Sequence, residues 1–106
     1  MSGTLMWQPV GKVDVVSEDE PLAATVSGKE IGVYLVGGKH YALENVCPHA
    51  YALLSQGFVD GEEIECPLHG AKFNILTGKC TMEPGGRDLK CYPVRVEGDT
   101  ILVGVD

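Results

Sequence analysis

Cys47-Pro48-His49 and Cys66-Pro67-Leu68-His69-Gly70 decide how this chain is read. Each stretch offers one thiol and one imidazole. Sixteen residues separate His49 from Cys66, enough for a β-hairpin that returns the second stretch beside the first. Asp60-Gly61 stands inside that interval as a hairpin turn, because a glycine there accepts the positive φ that a two-residue loop requires. Gln56–Val59 and Glu62–Glu65 are the expected arms. Brought together, the two loops would clamp one metal centre with Cys47, His49, Cys66 and His69.

Ligand type alone leaves the metal open, since thiolates suit zinc and iron-sulfur clusters and imidazole suits zinc, copper and iron. Spacing narrows the choice. Zinc-finger sites usually pair Cys with Cys and His with His, whereas each half-site here mixes the two. A Rieske [2Fe-2S] centre replaces two Cys by two His on one of its irons, so a set of two Cys and two His is what it requires. Pro48 and Pro67 restrict φ, and Gly70 permits a positive φ or a close backbone approach. Shaping of a cluster loop and plain turn chemistry both account for these three residues.

At these residues the chain resembles the Rieske ferredoxin family. The segment reads Cys47-Pro-His49-Ala, then Cys66-Pro-Leu-His69-Gly70-Ala-Lys-Phe, with Thr77-Gly78 closing it. The Tyr92-Pro93-Val94 strand and the terminal hairpin extend the likeness to the ferredoxin component of bacterial ring-hydroxylating dioxygenases. The resemblance implies one Rieske-type [2Fe-2S] cluster, with Cys47 and Cys66 on one iron and His49 and His69 on the other. It also implies a one-electron shuttle from a flavin-dependent, NAD(P)H-oxidising ferredoxin reductase to a terminal oxygenase acting on an aromatic compound, and so a carrier and not an enzyme. Both imidazoles would stand at the exposed tip where partners dock. High-potential respiratory relatives carry a loop-bridging disulfide that would fall at Ala52 and Leu68. Their cluster-tuning hydroxyls would fall at Ala71 and Phe73.

The chain of 106 residues fits one domain, expected over 1–106, and contains neither a repeat nor a low-complexity tract. Fourteen glycines with abundant Val, Ile and Tyr favour short strands and tight turns. The expected fold class is all-β, an antiparallel β-sandwich or partly open barrel of Rieske type, with a cluster-binding subdomain inserted over about 45–77. A formal charge of −7 argues against nucleic acid, which needs a basic surface, and fits a basic protein partner as well as simple solubility. The stretch from Met1 to Trp7 lacks the basic and apolar regions of a secretory signal, and no apolar run approaches membrane-spanning length. A cytoplasmic protein without a membrane partner is expected, with Cys80 and Cys91 as thiols.

Strands are expected over Leu5–Val10, Leu22–Val26, Ile31–Val36 and Lys39–Leu43, the last three forming a meander through Ser27–Glu30 and Gly37-Gly38. Lys72–Ile75 leaves the second loop, Cys80–Asp88 reads as irregular, and Leu89–Val96 with Thr100–Val105 closes the chain as a hairpin. His40 reads as a surface histidine away from both ligand pairs, and Tyr34 and Tyr41 as sheet-packing aromatics. Two other functions stay open on the residues alone. One is the small Rieske-like subunit of an assimilatory nitrite reductase; the other is an interaction module in which the same four ligands hold zinc.

Overall fold

The computed structural model of the chain describes residues 5–48, 52–68, 70–84 and 86–105. The strands are β1 (Met6–Lys12), β2 (Leu22–Val26), β3 (Lys29–Val36), β4 (Lys39–Glu44), β5 (Phe58–Asp60), β6 (Glu63–Glu65), β7 (Lys72–Asn74), β8 (Cys80–Met82), β9 (Cys91–Tyr92), β10 (Val94–Glu97) and β11 (Thr100–Val105). Short 3-10 turns occupy Val13–Val15 and Leu54–Gln56. The strands form three antiparallel sheets, ordered β1-β11-β10, β2-β3-β4-β9 and β5-β6-β7-β8. The all-β expectation holds.

The middle sheet is covered on both faces, which explains why β3 reads as a nearly unbroken apolar run instead of an alternating one. Ile31 and Val33 point into one core with Ala42, Ile101, Val103 and Val105. Tyr34 points the other way with Leu43, into a second core built from Leu54, Ile64, Phe73, Ile75 and the two thiols Cys47 and Cys66. Successive strand side chains face opposite sides, so one strand serves two cores. Full burial of one such Ile or Phe side chain contributes about 1.5–3 kcal/mol.

The expected meander is present as β2-β3-β4, with turns at Ser27-Gly28 and Gly37-Gly38 in which all four residues have positive φ. The expected hairpin around Asp60-Gly61 is β5-β6. Three readings change. Cys80–Met82, expected to be irregular, is β8 and pairs with β7, so the third sheet runs to Met82. Leu89–Val96 is not one strand: β9 joins β4 in the middle sheet while β10 joins β11 in the first. Pro93 lies at the break, where it has no N–H to give a ladder, and its carbonyl accepts from Gly104 N–H at 3.0 Å. The first strand begins at Met6 and continues to Lys12, and its Pro9 is tolerated because β1 lies at a sheet edge.

His40 is also more enclosed than a surface residue. It is half-buried opposite Leu35, and its Nε2 has neither solvent nor a hydrogen-bond partner among the described residues.

Gly57 joins the Leu54–Gln56 turn to β5, and a Cβ there would overlap the carbonyl oxygen of Glu65. Glu65 is the last residue of β6, immediately before Cys66, so this backbone approach fixes the height of the second loop. Gly57→Ala is therefore expected to destabilise the protein by about 1–3 kcal/mol through overpacking. Urea unfolding measures it, and an unchanged midpoint would remove the steric role given to Gly57.

Candidate metal centre

Each of the two loops grows from a strand end and is closed by the same backbone bond. In the first, β4 runs through Asn45 and Val46 into Cys47, whose N–H donates to Ala52 O at 2.9 Å. In the second, β6 runs into Cys66, whose N–H donates to Ala71 O at 2.7 Å. Both cysteines thus bond five residues ahead, although the Cys-to-His spacing differs by one between the loops. An antiparallel bridge between Val46 and Leu53 further closes the first loop. In the second, Gly70, with φ of +76°, donates back to Cys66 O at 3.3 Å. A non-glycine residue would be strained there.

Cys47 and Cys66 are 2 % and 1 % exposed and belong to one apolar core with Leu54, Ile64, Ala71 and Phe73. Beyond each cysteine the chain turns outward: Pro48 is half-buried, Pro67 is exposed and Leu68 is 55 % exposed. Two of the four expected ligands are thereby brought together. His49 and His69 lie outside the described residues. Among the described residues no three His, Cys, Asp or Glu side chains gather as a metal site, as expected when only the two sulfurs are in view.

The base of the first loop is held by a residue not singled out in the sequence. Asn45 is fully buried and is the only buried polar or charged residue among those described. Its Nδ2 donates to Ser55 Oγ at 2.9 Å and its Oδ1 accepts from Ser55 N–H at 2.8 Å. Its own N–H donates to Glu30 O at 3.0 Å, and its carbonyl accepts from Leu54 N–H at 2.7 Å. The carboxamide therefore ties the two ends of the Cys47 loop to each other, and the Asn45 backbone N–H ties them to strand β3. Sequence offers no sign of this, because Asn is a common turn former and its partner lies ten residues away.

A second missed contact concerns the segment after β8, where the sequence showed no local chemistry. Arg87 donates to Glu44 through both terminal nitrogens, Nη1 to Oε1 at 2.8 Å and Nη2 to Oε2 at 2.7 Å. Lys90 N–H adds a bond to Glu44 Oε1 at 2.9 Å. The Arg87 guanidinium holds the Glu44 carboxyl below the usual carboxylate range, against burial, which acts in the opposite direction. Because Glu44 directly precedes Asn45, this fork ties the segment around Arg87 to the strand that carries the first loop. Burial holds the Tyr34 hydroxyl well above the usual phenol range, so the ring contributes a neutral wall to the thiol core.

The chemistry of the donor set fits an iron-sulfur cluster. Buried thiolates are costly in an apolar interior unless a cation neutralises them, and all four described cysteines stay outside any disulfide. An all-β protein with two thiols buried together, each followed in sequence by a histidine two or three residues on, fits the class of metalloproteins with mixed sulfur and nitrogen ligation. The Rieske [2Fe-2S] domain matches residues 6–93, and the chain belongs to that family. Its cofactor is accordingly a Rieske-type [2Fe-2S] cluster.

Similar proteins agree. The ferredoxin component of the naphthalene 1,2-dioxygenase/salicylate 5-hydroxylase systems of Ralstonia sp. is 39% identical over 103 residues, covering 97% of this chain and 99% of that protein. The ferredoxin of carbazole 1,9a-dioxygenase from Nocardioides aromaticivorans IC177 superposes with a TM-score of 0.85 at 38% identity, covering 95% of this chain and 97% of that one. A chain from the complex of reduced oxygenase and oxidised ferredoxin in carbazole 1,9a-dioxygenase superposes with a TM-score of 0.85 at 34% identity, covering 92% of this chain and 91% of that one.

Removing the Asn45 clamp leaves the half-buried Ser55 N–H and Oγ without their partner and empties a fully buried site, and an unsatisfied group in the interior costs about 1–3 kcal/mol. Asn45→Ala is expected to destabilise the protein by about 2–4 kcal/mol and to speed iron loss to a chelator. Ser55→Ala strands one N–H of the Asn45 carboxamide but keeps the bond from Ser55 N–H to Asn45 Oδ1, and should cost less, about 1–2 kcal/mol. Urea unfolding and chelator kinetics measure both; equal effects of the two variants would refute the clamp.

Proposed function

We propose that this protein is a one-electron carrier that accepts from a flavin-dependent, NAD(P)H-oxidising ferredoxin reductase and donates to a terminal aromatic-ring-hydroxylating oxygenase. The single observation that carries this reading is the pair of thiols, Cys47 and Cys66, buried in one core beneath two loops closed alike. The ferredoxin-component relatives and the solved ferredoxin–oxygenase complex support the choice of partners. A Rieske cluster, when bound, supplies reversible one-electron chemistry.

Cys47 and Cys66, buried in one apolar core, would hold one iron, and His49 and His69 would hold the other. Four protein ligands leave no coordination position for a substrate, which separates a carrier from an oxygenase. The domain is the whole chain, 1–106, and the cluster-binding subdomain begins near 45, at the Asn45 clamp. We place the protein in the cytoplasm; no helix among the described residues is long and apolar enough to cross a membrane.

The walls near the thiols are apolar. Ala71 and Phe73 are fully buried in the same core as Cys47 and Cys66, and neither side chain can donate a hydrogen bond. Such bonds stabilise the reduced, more negative state, so their absence lowers the potential. That suits a carrier fed by NAD(P)H.

The purified protein is expected to be coloured and to contain two irons and two acid-labile sulfides per chain, the content of a [2Fe-2S] cluster. His49→Ala and His69→Ala should each abolish the Rieske electron paramagnetic resonance signal. Survival of that signal in both variants would overturn the ligand assignment, and a colourless zinc protein would overturn the carrier. Reductase-coupled reduction of an aromatic-ring oxygenase, set beside a siroheme nitrite reductase subunit, tests the partners.

Protein-film voltammetry should place the potential toward the low end of the Rieske range, roughly −150 mV and not +300 mV. Ala71→Ser and Phe73→Tyr should raise it by tens of millivolts, about 59 mV corresponding to about 1.4 kcal/mol for one electron. A wild-type value well above zero would contradict the role given to Ala71 and Phe73.

A further inference from the structure

The third sheet has an outer face that none of the preceding chemistry uses. Its inner face is the row Val59, Ile64, Phe73 and Cys80, which pack into the thiol core. The adjacent row is Phe58, Glu65, Lys72 and Met82, paired strand to strand in that order. Alternation turns it outward, and the third row adds Asp60 and Glu63 on the same side. Phe58 is 65% exposed and Met82 51%. With strands about 4.8 Å apart, the two apolar side chains stand about 14 Å from each other across the face.

Met82 is there because of a bulge. Strict alternation along β8 would send Met82 to the same side as Cys80, into the core. The β7-β8 register shifts, pairing Phe73 with Cys80 and Lys72 with Met82 and leaving Thr81 extra. A bulge re-aims a side chain in this way. Here it places a large apolar group in solvent, where it makes no contribution to either core.

The charge on this face selects what can cover it. Asp60, Glu63 and Glu65 stand against Lys72, and no ion pair among the described residues neutralises the three carboxylates. With a chain charge of −7, a second copy, a nucleic acid and an anionic membrane are all repelled. A basic protein surface is attracted. The face also adjoins the second loop: Glu65 immediately precedes Cys66, and its Oε2 lies 3.6 Å from the position a Cβ on Gly70 would take.

We infer that the outer face of the β5-β6-β7-β8 sheet is a docking surface for the electron-accepting oxygenase, with Phe58 and Met82 as apolar anchors and Asp60, Glu63 and Glu65 steering a basic contact surface. The inference rests on the carrier reading above. It extends the contact from the loop tips down one side of the sheet, and so orients the partner about the tip. Anchors in well-packed contacts dominate binding, while surrounding charges act chiefly on the association rate.

The test uses the holo protein, reduced by dithionite and mixed in stopped flow with the oxygenase component of the Ralstonia naphthalene dioxygenase system. One electron leaves the carrier and reduces the oxygenase. The Phe58→Ala/Met82→Ala double variant should keep its visible and paramagnetic resonance spectra and its unfolding midpoint. Its second-order rate constant should fall about tenfold, the size of one lost anchor. Val15→Ala, at another exposed apolar position, should leave the rate unchanged. Asp60→Asn/Glu63→Gln should flatten the dependence of the rate on salt. A reactive wild type and an equally fast, spectrally intact double variant would overturn the docking surface alone. A wild type that shows no Rieske signal would overturn the carrier reading and the docking surface with it.

Discussion

The structure depends on a sheet that is apolar on both sides. Strand β3 must satisfy two cores at once, with Ile31 and Val33 on one face and Tyr34 on the other, fully or almost fully buried. The β1-β11-β10 sheet covers the first face and the thiol-bearing sheet covers the second. Neither outer sheet is large enough to bury itself, so each is stable only against the middle one. A change in the register of β3 would exchange its two faces, moving Tyr34 from the thiol core to the opposite one.

That arrangement gives the metal centre a rigid base. Cys47 and Cys66 belong to different sheets: the first follows β4 of the middle sheet and the second follows β6 of the third. Their relation is therefore set by the packing of the two sheets through Tyr34, Leu43, Ile64 and Phe73. Asn45 then fixes the first loop to the middle sheet, and the backbone approach at Gly57 sets the second against the Leu54–Gln56 turn. Stiff support of this kind suits electron transfer, because ligands that barely move between redox states keep reorganisation small. The Arg87–Glu44 fork extends the same support to the segment after β8.

Burial and exposure are divided along the loops in a way that fits the function. The sulfurs face the interior, where the apolar side chains of Ala71 and Phe73 shape their surroundings. Pro67 and Leu68 face solvent, as does the outer face with Phe58 and Met82. A carrier has to keep its redox centre dry on one side and accessible on the other. The same chain solves both by alternating the two sides of short strands.

Much of this was legible in the residues. The turns at Ser27-Gly28, Gly37-Gly38 and Asp60-Gly61 are local, since glycine at positive φ acts over two residues, and so the hairpins followed from composition and spacing. The Cys and His pattern is equally local, and it singled out the thiols that the fold buries together. What tertiary structure alone decided involves residues far apart in the chain. Arg87 meets Glu44 across 43 residues, and Asn45 meets Ser55 across ten, neither with any neighbouring signal. Pro93 divides one apparent strand between two sheets because it lacks an N–H exactly where the chain changes partners, and the bulge at Thr81 sends Met82 outward against its own alternation. Sequence by itself determined which segments turn and which Cys and His side chains are the candidates to bind metal, because those properties reside in a few consecutive residues. Which faces become core, and which side chains support the loops, waited for the sheets to pack, because burial and long-range hydrogen bonds exist only between segments already brought together.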